Sequence, residues 1–131
     1  MPPLDAVCRE FDLVLVVLYG SRARDDARPD SDSDVGVLHR TGIVPANRFL
    51  DLAVRLGDAT GLPDIDLVDL RRAPGLLQHQ AGTHGKALFE DEPGRFNVFR
   101  VTAWKLYLDE AFEFRRLDAD YIREGLERLR T

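Results

Sequence analysis

The segment that most constrains this chain is Leu13-Val14-Leu15-Val16-Val17-Leu18-Tyr19, an unbroken valine-rich run that ends at Gly20. A strand with one wet face alternates apolar and polar residues. A continuous run of this kind has to be covered on both faces. It is far too short to cross a membrane as a helix. The chain therefore needs a sheet with layers on either side, and the remaining sequence supplies them. Val35 to Leu38 reads as a second strand, Asp64 to Leu70 as a third, and Lys86 to Glu90 as a short edge strand or extended segment. Leu4 to Phe11 suggests a short helix. Pro45 to Ala59 carries Phe49, Leu50, Ala53, Val54 and Leu56 at amphipathic spacing and is stopped by Gly61 and Pro63. Ser21 to Ala27 is expected to open a helix, and Ala73 to Ala81 to form another. From Arg95 onward the pattern is helical, with a break expected at Leu117 to Ala119. Strands alternating with helices on a short chain imply an α/β or α+β fold around one sheet.

At 131 residues the sequence suits a single domain, with residues 1–92 forming the sheet and its helices and 93–131 a helical segment. The net charge of −5 argues against direct nucleic-acid binding, which calls for a basic surface. The lone cysteine, Cys8, excludes an internal disulfide framework and reads as a small core residue. No basic start followed by an apolar stretch opens the sequence, and no membrane span is visible, so a cytoplasmic location is expected. The acidity is concentrated: Asp25, Asp26, Asp30, Asp32 and Asp34 lie within ten residues beside one arginine, Arg28. Such a cluster repels itself unless water or cations neutralise it.

The chemistry is carried by Gly20-Ser21 and by Asp32-Ser33-Asp34, which follows ten residues later. Glycine lets backbone approach a ligand closely, and free N–H groups at a helix start favour anions. Gly-Ser at the end of a strand is therefore a phosphate cradle in outline. Residues two apart in an extended chain face the same way, so Asp32 and Asp34 project together as an oxygen-rich site suited to Mg²⁺. Two such ions can clamp the attacking and leaving oxygens of phosphoryl transfer. A third carboxylate is available on the third strand. Asp66 is the first candidate and Asp69 the alternative on the opposite face, while Asp64 sits at the strand entrance where a turn is expected.

In this order, strand, Gly20-Ser21, Asp32-x-Asp34 and a later Asp-bearing strand, the sequence resembles the DNA polymerase β-type nucleotidyltransferase superfamily. The string from Leu18 to Leu38 is similar to its minimal nucleotidyltransferase branch, whose members often occur as antitoxins beside HEPN-domain toxins. The resemblance implies a small mixed sheet flanked by helices, with C-terminal helices. It implies that Gly20 and Ser21 hold the β- and γ-phosphates of ATP, and that Asp32 and Asp34 bind two Mg²⁺ ions. Asp66 would join the catalytic metal or activate the acceptor. Arg22 and Arg24 either touch the triphosphate or balance nearby aspartates. Two residues depart from the family pattern: Asp25 stands where glycine is common, and Ser33 where an apolar residue is common.

His39, His79 and His84 read as surface residues, since five residues between the last two do not place them on one helix face. Trp104 lies among many apolar residues, more than one buried stripe requires. Either that helix is wedged deep in the core, or its second apolar side meets another chain as a homo- or hetero-oligomer. The short C-terminal part favours an acceptor that brings its own contacts. With the resemblance, this points to adenylylation of a HEPN-type toxin, on a tyrosine hydroxyl. A non-catalytic antitoxin that masks its partner and an enzyme acting on a small molecule such as an aminoglycoside are the alternatives.

Overall fold

A computed structural model describes residues 3–23 and 32–130. The element order is α1 (Leu4–Glu10), β1 (Leu13–Tyr19), β2 (Ser33–His39), α2 (Ala46–Thr60), β3 (Ile65–Asp69), α3 (Gly75–His84), β4 (Lys86–Glu90) and α4 (Arg95–Arg130). The four strands form one sheet in the order β3-β2-β1-β4. β1 runs antiparallel to both β2 and β4, whereas β2 and β3 are parallel and joined through the α2 crossover. The sheet is therefore mixed, as expected.

All seven residues of β1 are buried, which places the apolar run at the centre. Its side chains feed two cores. On one face Leu13, Val16 and Leu18 pack with Val35, Val37 and Leu67 under α1 and α2. On the other, Val14, Leu15, Val17 and Tyr19 pack with Leu70 under Ala81 of α3 and Phe99 and Ala103 of α4. Cys8 is fully buried in the first core, and burial lifts its thiol pKa to about 12, so it stays a protonated packing group.

α2 buries Leu52 and Leu56 completely, with Phe49 and Ala53 partly covered beside them. Each fully buried leucine contributes about 1.5–3 kcal/mol. Leu50 and Val54 do not join this stripe; they are 78% and 56% exposed. The helix presents the 49-52-53-56 row to the sheet, which turns the neighbouring row outward. Gly61 ends α2 in the left-handed conformation, φ +72°.

α4 is one unbroken helix across Leu117 to Ala119, contrary to the break expected there. No glycine or proline interrupts that stretch, and its exposed turns carry i,i+3 ion pairs such as Arg123–Asp120 at 2.9 Å. At 1.5 Å per residue the helix is about 54 Å long. Its first part packs on α3, and the Glu110 carboxylate accepts the Gly75 N–H at 2.9 Å. That contact caps α3, whose N-cap is Pro74 and offers no side-chain acceptor. α3 itself runs three residues past the expected Ala81, to His84. Beyond Ala111 the α4 surface is almost wholly exposed. Among the described residues no helix is long and apolar enough to cross a membrane.

Candidate active site

Strand pairing sets the site. Tyr19 on β1 is opposite Asp34 on β2, and Asp34 is beside Asp66 on β3. The three side chains form a row across the sheet on the face covered by α3. Alternation explains their direction: Val35 and Val37 point into the α1/α2 core, so Asp34 points the other way. With Gly20, Val68, Leu77, Gln80 and His84 this row lines a cleft of about 370 Å³.

Gly20 meets two demands at once. Its φ is +73°, in the left-handed region, and a Cβ there would stand 2.2 Å from Asp34 Oδ2. Only glycine allows the chain to turn off β1 while leaving that carboxylate in place. Ser21 and Arg22 follow Gly20 in the same turn, both half-buried. The helix expected over Ser21 to Ala27 does not begin at Ser21, since residues 21–23 form a turn; the rest of that stretch, with the candidate residue Arg24 and Asp25, lies outside the described residues.

The carboxylates are electrostatically coupled. Asp34 has a raised pKa, first through burial, then through the charges of Asp66 and Asp32 and a hydrogen bond with Asp66. The Tyr19 phenol is pushed up to about 12 by burial and by the same two aspartates, Asp34 and Asp66. Asp32 is exposed and precedes β2. Among the described residues no three acidic, His or Cys side chains converge as a ready metal site. Three carboxylates without a counter-ion resist closer approach. Two adjacent carboxylates suit a hard divalent cation such as Mg²⁺, which binds through one or two carboxylates together with substrate phosphates.

Asp69 is occupied elsewhere. It is 7% exposed and accepts the Val44 N–H at 2.8 Å and the Arg71 N–H at 3.2 Å. Its carboxylate ties the β2–α2 connection to the end of β3 and does not reach the cleft face. Asp64 has φ +45° and lies in the turn before β3, where its carbonyl accepts the Ser33 N–H at 3.0 Å.

Ser33 makes a second clasp at that point. Its side chain is fully buried, and Oγ donates to the Pro63 carbonyl at 2.6 Å. A buried hydroxyl needs a partner, and this one fastens the strand carrying Asp34 to the turn leading to Asp66. Its polarity at an apolar position thus has a structural cause. Ser33→Ala is expected to lose about 1–2 kcal/mol, because it leaves the Pro63 carbonyl unpaired. Urea unfolding measures this, and an unchanged midpoint would show that the clasp carries no weight.

The histidines are not all bystanders. His84, at the end of α3, and Gln80, one turn before it, face the carboxylates across the cleft. His79 stacks on Tyr107 with centroids 4.5 Å apart, and lies 4.9 Å from Trp104. His39 accepts the N–H groups of Thr41 and Gly42 at 3.3 and 3.2 Å and shapes the turn after β2. The positions of Gln80 and His84 follow from α3 folding back over the sheet, which local spacing does not encode.

The family model described as "Polymerase beta, Nucleotidyltransferase" matches residues 4–93. The protein adenylyltransferase MntA of Shewanella oneidensis is 38% identical over 77 residues, which span 59% of this chain and 54%, about half, of that relative. A toxin–antitoxin structure with AMP-PNP superposes with a TM-score of 0.72 at 28% identity, covering 91% of this chain and 95% of that one. A structure of tri-AMPylated S. oneidensis HEPN toxin in complex with MNT antitoxin gives a TM-score of 0.66 at 27% identity, covering 91% and 92%. Those chains share the fold of this one over nearly all of both lengths. The row of carboxylates beside the Gly20 turn and the match over residues 4–93 lead to one assignment: the chain belongs to the polymerase β nucleotidyltransferase family.

Proposed function

We propose that the chain is an MNT-type antitoxin that transfers AMP from ATP to a hydroxyl of a HEPN-type toxin. The observation that carries this reading is the Asp34–Asp66 pair, side by side on adjacent strands and a Cβ's breadth from the Gly20 turn. The relatives supply the substrate class: one similar structure holds AMP-PNP, and another an AMPylated HEPN toxin.

In this reading Gly20, Ser21 and Arg22 hold the triphosphate, with Arg24 assigned to it from the sequence alone. Asp34 and Asp66, joined by Asp32, hold Mg²⁺, with two ions expected. Mg²⁺ supplies the positive charge that offsets charge building on the phosphate oxygens. The acceptor oxygen, a tyrosine hydroxyl by family resemblance, forms a bond to the α-phosphorus. The bond from that phosphorus to the bridging oxygen breaks, and pyrophosphate leaves with the electron pair. Asp66, on the outer strand, takes the acceptor's proton in this reading. The chain's main contribution is to position the groups.

Incubation with α-labelled ATP, Mg²⁺ and the co-expressed HEPN protein tests this. Label on that protein is expected. Label only on an aminoglycoside-type compound, or none on either, would overturn it.

A second reading, neutralisation by masking, is favoured by α4. Val101, Trp104, Leu108, Phe112, Ile122 and Leu126 lie along one side of the helix and are 45–69% exposed. A stripe of this extent on a projecting helix is a partner surface. The double variant Leu108→Asp/Phe112→Asp should weaken the HEPN complex about 100-fold with an unchanged melting temperature. Calorimetric titration measures the first and thermal unfolding the second. If the complex is unaffected while the free chain changes from oligomer to monomer in sedimentation, the stripe joins copies of this chain instead.

A further inference from the structure

We propose that an apolar cavity along the outer edge of β3 seats the acceptor, taking an apolar or aromatic side chain of the protein that carries the hydroxyl. This deepens the nucleotidyltransfer reading above and rests on it. The cavity is about 500 Å³, and its walls include Phe49, Leu67, Val68, Pro74 and Leu77. Asp69 is also in the wall, but its carboxylate is engaged by the N–H groups of Val44 and Arg71.

Three observations place the acceptor there. First, Val68 and Leu77 line both this cavity and the carboxylate cleft, so the two spaces adjoin across those side chains.

Second, in-line displacement puts the attacking and leaving oxygens on opposite sides of the α-phosphorus. The Gly20–Ser21 turn, which holds the departing pyrophosphate, lies at the end of β1. The sheet order then sets Asp34 on β2 and Asp66 on β3 beyond it. Attack therefore comes from over β3. The ribose is an equatorial substituent in that geometry, so the base leaves the axis sideways and does not compete for this space.

Third, β3 is a sheet edge. The Asp64 carbonyl accepts from Ser33 N–H, and Leu70 N–H donates to the Val37 carbonyl. Alternation then turns the main-chain groups of Leu67 and the N–H of Asp69 toward the open edge, while the Asp69 carbonyl accepts the Arg72 N–H at 3.0 Å. An extended protein segment can pair with such an edge while its side chains enter the neighbouring cavity. A small hydroxylated compound has no use for a strand edge, which selects a protein as occupant.

Ala46 and Arg72 stand exposed at the mouth of the cavity, away from both cores. Ala46→Trp should fill it and raise the KM for the HEPN acceptor by about tenfold or more, the order of one lost apolar anchor. The melting temperature and the affinity for AMP-PNP should both stay near wild type. Arg72→Trp fills the space from another lining position and stands in if Ala46→Trp is unstable. An unchanged acceptor KM in a folded variant overturns the inference and leaves the parent reading intact. A weakened AMP-PNP affinity with unchanged acceptor KM also overturns it, and assigns the cavity to the nucleotide. If wild type labels no HEPN protein, the parent reading fails and the inference falls with it.

Discussion

Asp34→Asn is expected to lower AMP transfer by about 10³-fold or more, the scale on which removing a single charge-stabilising group acts, while leaving the fold intact. The same change should stabilise the metal-free protein at neutral pH. Burial and the neighbouring Asp66 and Asp32 raise the Asp34 pKa in the folded state. Between its unfolded and folded values the native chain therefore binds more protons than the unfolded one. The contribution of this group to stability is greatest below the unfolded pKa and falls as pH rises through the folded one. At pH 7 the ionised pair opposes folding, and an amide at position 34 removes that opposition. Mg²⁺ with AMP-PNP should reverse the order, raising the wild-type melting temperature and leaving the variant's nearly unchanged. Thermal unfolding in EDTA and in Mg²⁺/AMP-PNP, beside a label-transfer assay, reads all three effects. Transfer at the wild-type rate, or a lower melting temperature of the variant in EDTA, would refute this account of the pair.

Much of this site is legible in the sequence because strand geometry is so regular. A run with no polar residue from Leu13 to Tyr19 can only be a central strand, and its end fixes where Gly20 lies. Parity on the third strand separates Asp66 from Asp69, and the structure gives the buried Asp69 carboxylate two backbone N–H groups to hold. Parity also puts Ser33 on the buried face, a signal that its hydroxyl needs a partner. Which partner depends on the turn before β3, thirty residues away. Gln80 and His84 were not legible at all, because their place opposite the carboxylates depends on how α3 lies across the sheet. The expected break in α4 failed for a different reason. Leu117-Asp118-Ala119 has a weak apolar pattern, but helix continuity requires only that nothing stops the backbone, and nothing there does.

Gly20→Ala and Gly61→Ala should separate backbone strain from damage to the site. The two glycines share a conformation, with φ of +73° and +72°. An alanine at either loses stability from the left-handed backbone, about 1 kcal/mol or somewhat more. Their neighbours differ completely. A Cβ at Gly61 meets nothing within 4 Å, whereas at Gly20 it falls 2.2 Å from Asp34 Oδ2. That overlap cannot stand, so either the Asp34 carboxylate swings away from Asp66 or the turn bearing Ser21 and Arg22 shifts. Either movement separates the Gly20–Ser21 turn, the proposed phosphate cradle, from the carboxylates, and misplacement on the scale of 1 Å costs about 10²-fold in rate. Gly20→Ala is therefore expected to lose about that much transfer activity, with a stability loss larger than that of Gly61→Ala. Gly61→Ala should transfer AMP at close to the wild-type rate. Equal activity in the two variants would mean that only backbone strain matters at Gly20, and that its closeness to Asp34 has no part in the chemistry.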